Sequence, residues 1–329
     1  MSVPARASEI ESRALYLRRP RELVLTRVRV PAPAPGQVRV RLEGCGVCAS
    51  NLPVWEGRPW FDYPLEAGAP GHEGWGTVEA LGEGVSNVAL GDRVAFLSTH
   101  AYAEHDLAAH ETLVKLTAKL DGKPFPGEPL ACVVNIFRRS EIAPGQTVAI
   151  VGVGFIGAAL TALAVRAGAR VIAFSRRPFA LEMAERMGAS AVIRTQDPAR
   201  ALQQAQPLIG EARCERVIEA SGHQESLDLA TELAGERARL IIAGYHQDGT
   251  RRVNLREWNW RGLDVVNAHE RGPYEYLRGM QEAADLVTRG ELHPWMLFTH
   301  RFALEEAQGA FTMLARRPPG FMKALISCV

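Results

Sequence analysis

The chain has 329 residues, with 38 Lys and Arg against 37 Asp and Glu and a formal net charge of +1. Interspersed, balanced charge excludes a nucleic-acid or membrane-surface binder that works by bulk electrostatics, and the length suits two domains of ordinary size. No apolar run reaches the ~18 residues of a membrane span, and the opening MSVPARASEIESRALYLRRP is too polar for a signal peptide, so a soluble cytoplasmic protein is expected.

Residues 22–43, ELVLTRVRVPAPAPGQVRVRLE, alternate apolar and charged positions in two runs around a proline-rich turn, the pattern of half-exposed antiparallel strands. Strand-like runs return at Gly76 to Leu81 and Arg93 to Leu97, between glycine turns. The first ~120 residues therefore read as mostly β. From Pro144 the texture changes. Thr147 to Val151 is an uncharged run that suits a strand buried on both faces, and it leads into Gly152-Val153-Gly154-Phe155-Ile156-Gly157. Ile156, Leu160, Leu163, Ala164 and Ala167 follow at helical spacing, and Val171 to Phe174 closes a βαβ unit.

In this context the glycines have separate tasks. Gly152 permits the tight turn, Gly154 lets the backbone approach a pyrophosphate, and Gly157 lets the helix pack against the strand. Phe155 and Ile156 open the helix, whose N-terminus favours phosphate. Strands at Ala191 to Ile193, Arg216 to Ala220, Arg239 to Ala243 and Asp264 to Asn267, with helices between, complete a six-stranded dinucleotide-binding sheet. The tail holds amphipathic helices near 274–289 and 304–315 and a strand-like run, Lys323 to Ser327, which suggests a return to the first domain. The chain shows no internal repeat.

Cys45, Cys48, Cys132, Cys214 and Cys328 are odd in number and scattered, so a ligand or nucleophile is a better role for any special cysteine than a disulfide framework. Cys48 and the pair His72-Glu73 lie on glycine-flanked turns. One thiolate, one imidazole and one carboxylate suit a catalytic zinc with an open position. Cys45-x-x-Cys48 follows a strand in an all-β region rather than opening a helix, which argues against a redox pair.

Several landmarks occur in order along nearly the whole chain: Gly46-Val47-Cys48-Ala49-Ser50-Asn51, Gly71-His72-Glu73-Gly74-Trp75-Gly76, Gly91-Asp92-Arg93-Val94, Glu128-Pro129-Leu130 and the glycine turn at 152–157. With them the chain resembles the medium-chain dehydrogenase/reductase superfamily, in its zinc-dependent alcohol and polyol dehydrogenase branch. The resemblance implies an α/β protein with a GroES-like β-rich catalytic domain (1–138 and 271–329), a Rossmann doubly wound parallel six-stranded sheet (139–270), and an active site in the cleft between them. It implies that Cys48 and His72 bind zinc, that Glu73 is a ligand or close neighbour, and that Glu128 holds zinc directly or through water. Ser50 would accept the proton of the substrate hydroxyl while hydride passes to the nicotinamide. Family members form homodimers or homotetramers.

Four departures qualify this. Asn51 stands where the family has an aspartate that orients the zinc-bound histidine; its amide oxygen could accept the same hydrogen bond. Pro53 replaces the histidine that ends the proton relay in many relatives. The segment after Val94 has no cysteine, so one zinc per chain and no structural zinc is expected; His100, His105 and His110 there suit surface or cleft-lining positions better than a metal site. The acidic residue that would bind the ribose of NAD is replaced by Ser175, followed by Arg176 and Arg177. A hydroxyl and a guanidinium suit a phosphate monoester, which favours NADP(H). Lys323 resembles a basic residue near the cofactor phosphates in relatives. Trp55, Trp60, Phe61 and Tyr63 could wall the substrate pocket or pack the β domain. A zinc-free quinone or enone reductase and a non-catalytic dinucleotide-binding protein remain open alternatives.

Overall fold

A computed structural model describes residues 8–328 as two compact units. The first takes the described residues up to Ala131, then Gly272–Gly290, then the chain from Phe298; the second takes Cys132–Arg271 and Glu291–Leu297. Residues 132–138, 271 and 291–297, assigned above to the catalytic domain, thus group with the second unit.

In the first unit, β1 (Ile10–Arg19) and β2 (Glu22–Val30) form an antiparallel hairpin. Next come β3 (Gln37–Gly46), the short helix α1 (Leu52–Glu56), β4 (Gly74–Leu81), β5 (Arg93–Phe96), β6 (His105–Ala109) and β7 (Leu113–Lys115). The helix α2 (Gly127–Ser140), unread in the sequence, crosses the division between the units. Its Leu130, Val133 and Val134 are buried at helical spacing, and Pro129 is tolerated because it lies in the first turn.

The second unit alternates β8 (Thr147–Val151), α3 (Phe155–Arg166), β9 (Arg170–Ser175), α4 (Pro178–Arg186), β10 (Ala191–Arg194), α5 (Pro198–Ile209), β11 (Cys214–Glu219), α6 (Gln224–Leu233), β12 (Ala234–Ile242), α7 (Leu255–Arg261) and β13 (Asp264–Asn267). The six strands pair in parallel in the order β10-β9-β8-β11-β12-β13. This is the doubly wound order, with its reversal between β8 and β11. The central strands read as unbroken apolar runs because helices cover both faces: Val148, Ala149, Ile150, Val171, Ile172 and Val217 are all inaccessible.

The chain then returns to the first unit with α8 (Pro273–Thr288), β14 (Phe298–Ala303), α9 (Ala307–Arg316) and β15 (Lys323–Ser327). The sheet order is β14-β15-β3-β4-β5-β7, with β6 also paired to β3. Leu42, Phe96, Tyr102, Phe311, Phe321 and Ile326 belong to its core. Register positions the site. The end of β3 is sandwiched, with Cys45 opposite Gly74 of β4 and opposite Ile326 of β15. The turn after β3, the turn before β4 and the start of β15 are thereby brought to one place.

Candidate active site

That convergence places a thiol, an imidazole and a carboxylate together. Candidate ligand atoms of Cys48, His72 and Glu73 all lie within 4.8 Å of one another. Donors bound to one zinc at ~2.0–2.3 Å would stand within that spacing, so the set fits the metal. Glu73 is completely buried, and so is most of Lys323, whose Nζ lies 2.8 Å from Oε1 and 2.7 Å from Oε2. Only the contact with Oε1 has hydrogen-bond geometry; Oε2 keeps an unfilled acceptor in a buried place. Gly46 is required here, since a Cβ on it would stand 1.8 Å from that same Oε2.

The electrostatics call for a cation. Burial works to lower the pKa of His72, yet the hydrogen bond to Cys48 and the charges of Cys48, Glu128 and Glu73 push it up to about 10. The ring faces the anions with one nitrogen and is held by the other: Nδ1 donates to the carbonyl of Pro70 at 3.0 Å. That acceptor fixes the tautomer and leaves Nε2 to the cluster. The Ser50 hydroxyl donates to Cys48 Sγ at 3.2 Å.

The nucleotide turn meets its own geometric requirements within the second unit. Gly152 has φ +105°, and a Cβ there would lie 2.8 Å from the Ser221 nitrogen. A Cβ on Gly157 would stand 2.1 Å from the Gly152 carbonyl, whereas one on Gly154 would meet nothing within 4 Å. The first and third glycines serve packing; the second faces open space, as a backbone that admits a pyrophosphate must. Helix α3 starts at Phe155 and Ile156, which puts first-turn amides beside that space.

Two family models match the chain: an alcohol dehydrogenase GroES-like domain over residues 34–123 and a zinc-binding dehydrogenase domain over residues 156–285. The chain belongs to the medium-chain dehydrogenase/reductase superfamily, in its zinc-dependent branch. Among curated relatives, the erythritol/L-threitol dehydrogenase of Mycolicibacterium smegmatis is 28% identical over 342 residues, covering 90% of this chain and 92% of the relative. A Sinorhizobium meliloti 1021 protein solved with NADP shares 25% identity at a TM-score of 0.82, covering 97% of this chain and 99% of its own. An Escherichia coli CFT073 protein complexed with NADH superposes at a TM-score of 0.86 and 21% identity, covering 96% and 99%. This zinc-dependent dehydrogenase is accordingly an NAD(P)-dependent oxidoreductase of the alcohol and polyol type.

The dehydrogenase differs from the sequence reading in three places. Lys323, expected near the cofactor phosphates, has its ammonium on Glu73 and 3.4 Å from the Val47 carbonyl, beside the Cys48, His72 and Glu73 trio. Asn51 does not accept from His72: its amide nitrogen donates to Pro70 O at 3.2 Å and to Tyr102 OH at 2.9 Å. The backbone carbonyl of Pro70 accepts from His72 Nδ1 instead, and Asn51 donates to that same carbonyl. Arg177 turns back to donate to Val153 O at 3.3 Å, while Ser175 Oγ accepts from the Arg177 amide; Arg176 is exposed.

Glu128 lies in the first turn of α2, outside the trio, but its charge raises the pKa of both His72 and Lys323. His100 pairs with Glu66, His105 with Glu79, and His110 with Asn87, three separate places. Trp55 packs in the core against Phe311, and Tyr63 bonds the Val54 carbonyl; Trp60 is exposed. Sequence reasoning missed Tyr102 and Pro70, which no motif marks, and Glu219, whose signal was a lone acid closing an otherwise apolar strand end.

Proposed function

We propose that the protein oxidises a polyol-type alcohol, and reduces the corresponding carbonyl in reverse, with NADP(H) and one catalytic zinc per chain. The observation that carries this is the Cys48, His72 and Glu73 trio within 4.8 Å, set against a buried lysine. Cys48 and His72 are the metal ligands in this reading, with Glu73 or Glu128 supplying the third protein group. A bound zinc supplies Lewis acidity that makes a substrate hydroxyl easier to deprotonate.

The remaining work falls to the chain. Ser50, within hydrogen-bond reach of Cys48 Sγ, accepts the substrate proton and passes it on by a route other than Pro53, which cannot carry it. His72 is held in one tautomer by Pro70. Lys323 offsets the Glu73 charge, so that the buried cluster does not accumulate uncompensated anions. Gly152, Gly154, Gly157 and the first turn of α3 seat the pyrophosphate. Ser175 and the exposed Arg176 receive the 2′-phosphate, Arg177 being turned towards the glycine loop.

The single zinc is supported by the cysteine-free segment after Val94. A dimer or tetramer is the expected assembly. Strand β13, at the end of the six-stranded sheet, and the adjoining Trp260, 87% exposed, are suited to such contact. Initial rates on a panel of diols, tetritols and hexitols with each dinucleotide test the reading. Turnover of at least one polyol with NADP⁺ preferred is expected; zinc-replete, dinucleotide-binding protein inert to the whole panel would overturn it.

A further inference from the structure

Glu219 ends β11, beside the point where the strand order reverses, and its side chain is wholly buried. A carboxylate in such a place is costly unless every lone pair is engaged. Here Oε1 accepts from Ser221 N at 2.8 Å, Ser221 Oγ at 2.7 Å and Gly222 N at 2.9 Å. Its other oxygen accepts from His246 Nε2 at 2.9 Å. His246 Nδ1 in turn accepts from Arg251 Nε at 2.9 Å, and Arg251 also donates to Gly222 O at 2.8 Å. Both imidazole nitrogens are therefore committed, one as donor and one as acceptor, which defines a single tautomer.

The network binds two turns at the carboxyl ends of the strands. The turn after β11 abuts the glycine loop, as the 2.8 Å clearance between a Gly152 Cβ and Ser221 N shows. The turn after β12 lies against that one: a Cβ on Gly222 would stand 2.7 Å from Tyr245 O, and the Gly244 amide donates to the Glu219 carbonyl at 2.8 Å. Tyr245 is thus bracketed by Gly244, anchored through its backbone, and His246, anchored through its side chain. Tyr245 is 46% exposed, and its ring centroid stands 5.4 Å from that of His269, which follows β13.

In a doubly wound sheet the dinucleotide lies across the carboxyl ends, one nucleotide on each half. The half from β8 to β10 holds the glycine turn and Ser175, hence the adenosine. The turns after β11, β12 and β13 are left for the nicotinamide nucleotide. We propose that His246 is a positioning residue for the nicotinamide half-site: clamped between Glu219 and Arg251, it holds the exposed Tyr245 ring where the nicotinamide nucleotide binds. This rests on the dinucleotide reading above and adds to it which residues set the affinity of one half of the cofactor.

The test compares two probes on the intact, zinc-loaded protein by calorimetric titration: NADPH, and adenosine 2′,5′-bisphosphate, which lacks the nicotinamide half. For His246→Leu, NADPH binding should weaken at least about tenfold while the bisphosphate changes less than about twofold. His246→Gln, which can donate to Glu219 and accept from Arg251, should recover most of the NADPH affinity. Arg251→Met provides a second probe if the leucine variant folds poorly, and should show the same selectivity with a smaller loss. Equal weakening of both probes, or NADPH affinity unchanged in both His246→Leu and Arg251→Met, would overturn the role. Wild-type protein that binds neither probe would instead defeat the underlying cofactor reading.

Discussion

The Cys48, His72 and Glu73 cluster and the nucleotide turn are built on opposite principles. Cys48, His72, Glu73 and Lys323 come from three separate stretches, and β-sheet register alone assembles them. Glu73 and Lys323 are buried, Cys48 and His72 are half-buried, and the group is tightly spaced, to the point that Gly46 has no room for a methyl group. The nucleotide turn is one continuous segment, Gly152 to Gly157, whose second glycine faces open space. A cluster of convergent charges fails when any member is removed, because the others are left uncompensated. A local turn tolerates change at its rim, where side chains contact ligand and water more than each other.

That contrast can be broken by substitution. Lys323→Met leaves Glu73 buried without its cation and should cost about 3–5 kcal/mol of stability, read by denaturant unfolding of the metal-free and zinc-loaded protein. A loss below about 1 kcal/mol would show that the cluster is less interdependent than its geometry implies. Asn51→Ala removes the brace on Pro70 O and leaves the buried Tyr102 hydroxyl without that donor. Zinc affinity should fall by about 10–100-fold, the usual effect of losing a partner that orients a ligand, in competition with a chromophoric chelator. Beside the nucleotide turn, where Ser175 is largely buried and Arg176 exposed, Ser175→Asp with Arg176→Leu should shift the NADP/NAD selectivity by about tenfold or more towards NAD, equivalent to ~1.4 kcal/mol, at a smaller cost in stability than Lys323→Met. Loss of folding in that variant would erase the distinction between the two regions.

The same contrast explains how much could be read from the chain alone. The six strands of the second unit were legible because each apolar run and each glycine turn is local, and the crossovers allow few topologies. Cys48, His72 and Glu73 were legible as short glycine-flanked motifs. What those residues touch was not. The ion pair of Lys323 with Glu73 spans 250 positions and depends on β15 lying beside β3. The substitution of a Pro70 carbonyl for a side-chain acceptor leaves no trace in residue type, and Tyr102 reads as an ordinary core aromatic. Helix α2 was obscured by the glycine and prolines at its start, although its buried residues keep helical spacing.

The most direct test of the central claim, a single catalytic zinc held by the convergent cluster, is the zinc content of purified protein by plasma mass spectrometry. About one zinc per chain is expected in the wild type, and a small fraction of that in a Cys48→Ala, His72→Ala variant that remains folded. Wild-type protein without zinc after expression in zinc-replete medium, two zinc ions per chain, or full occupancy in the double variant would contradict it.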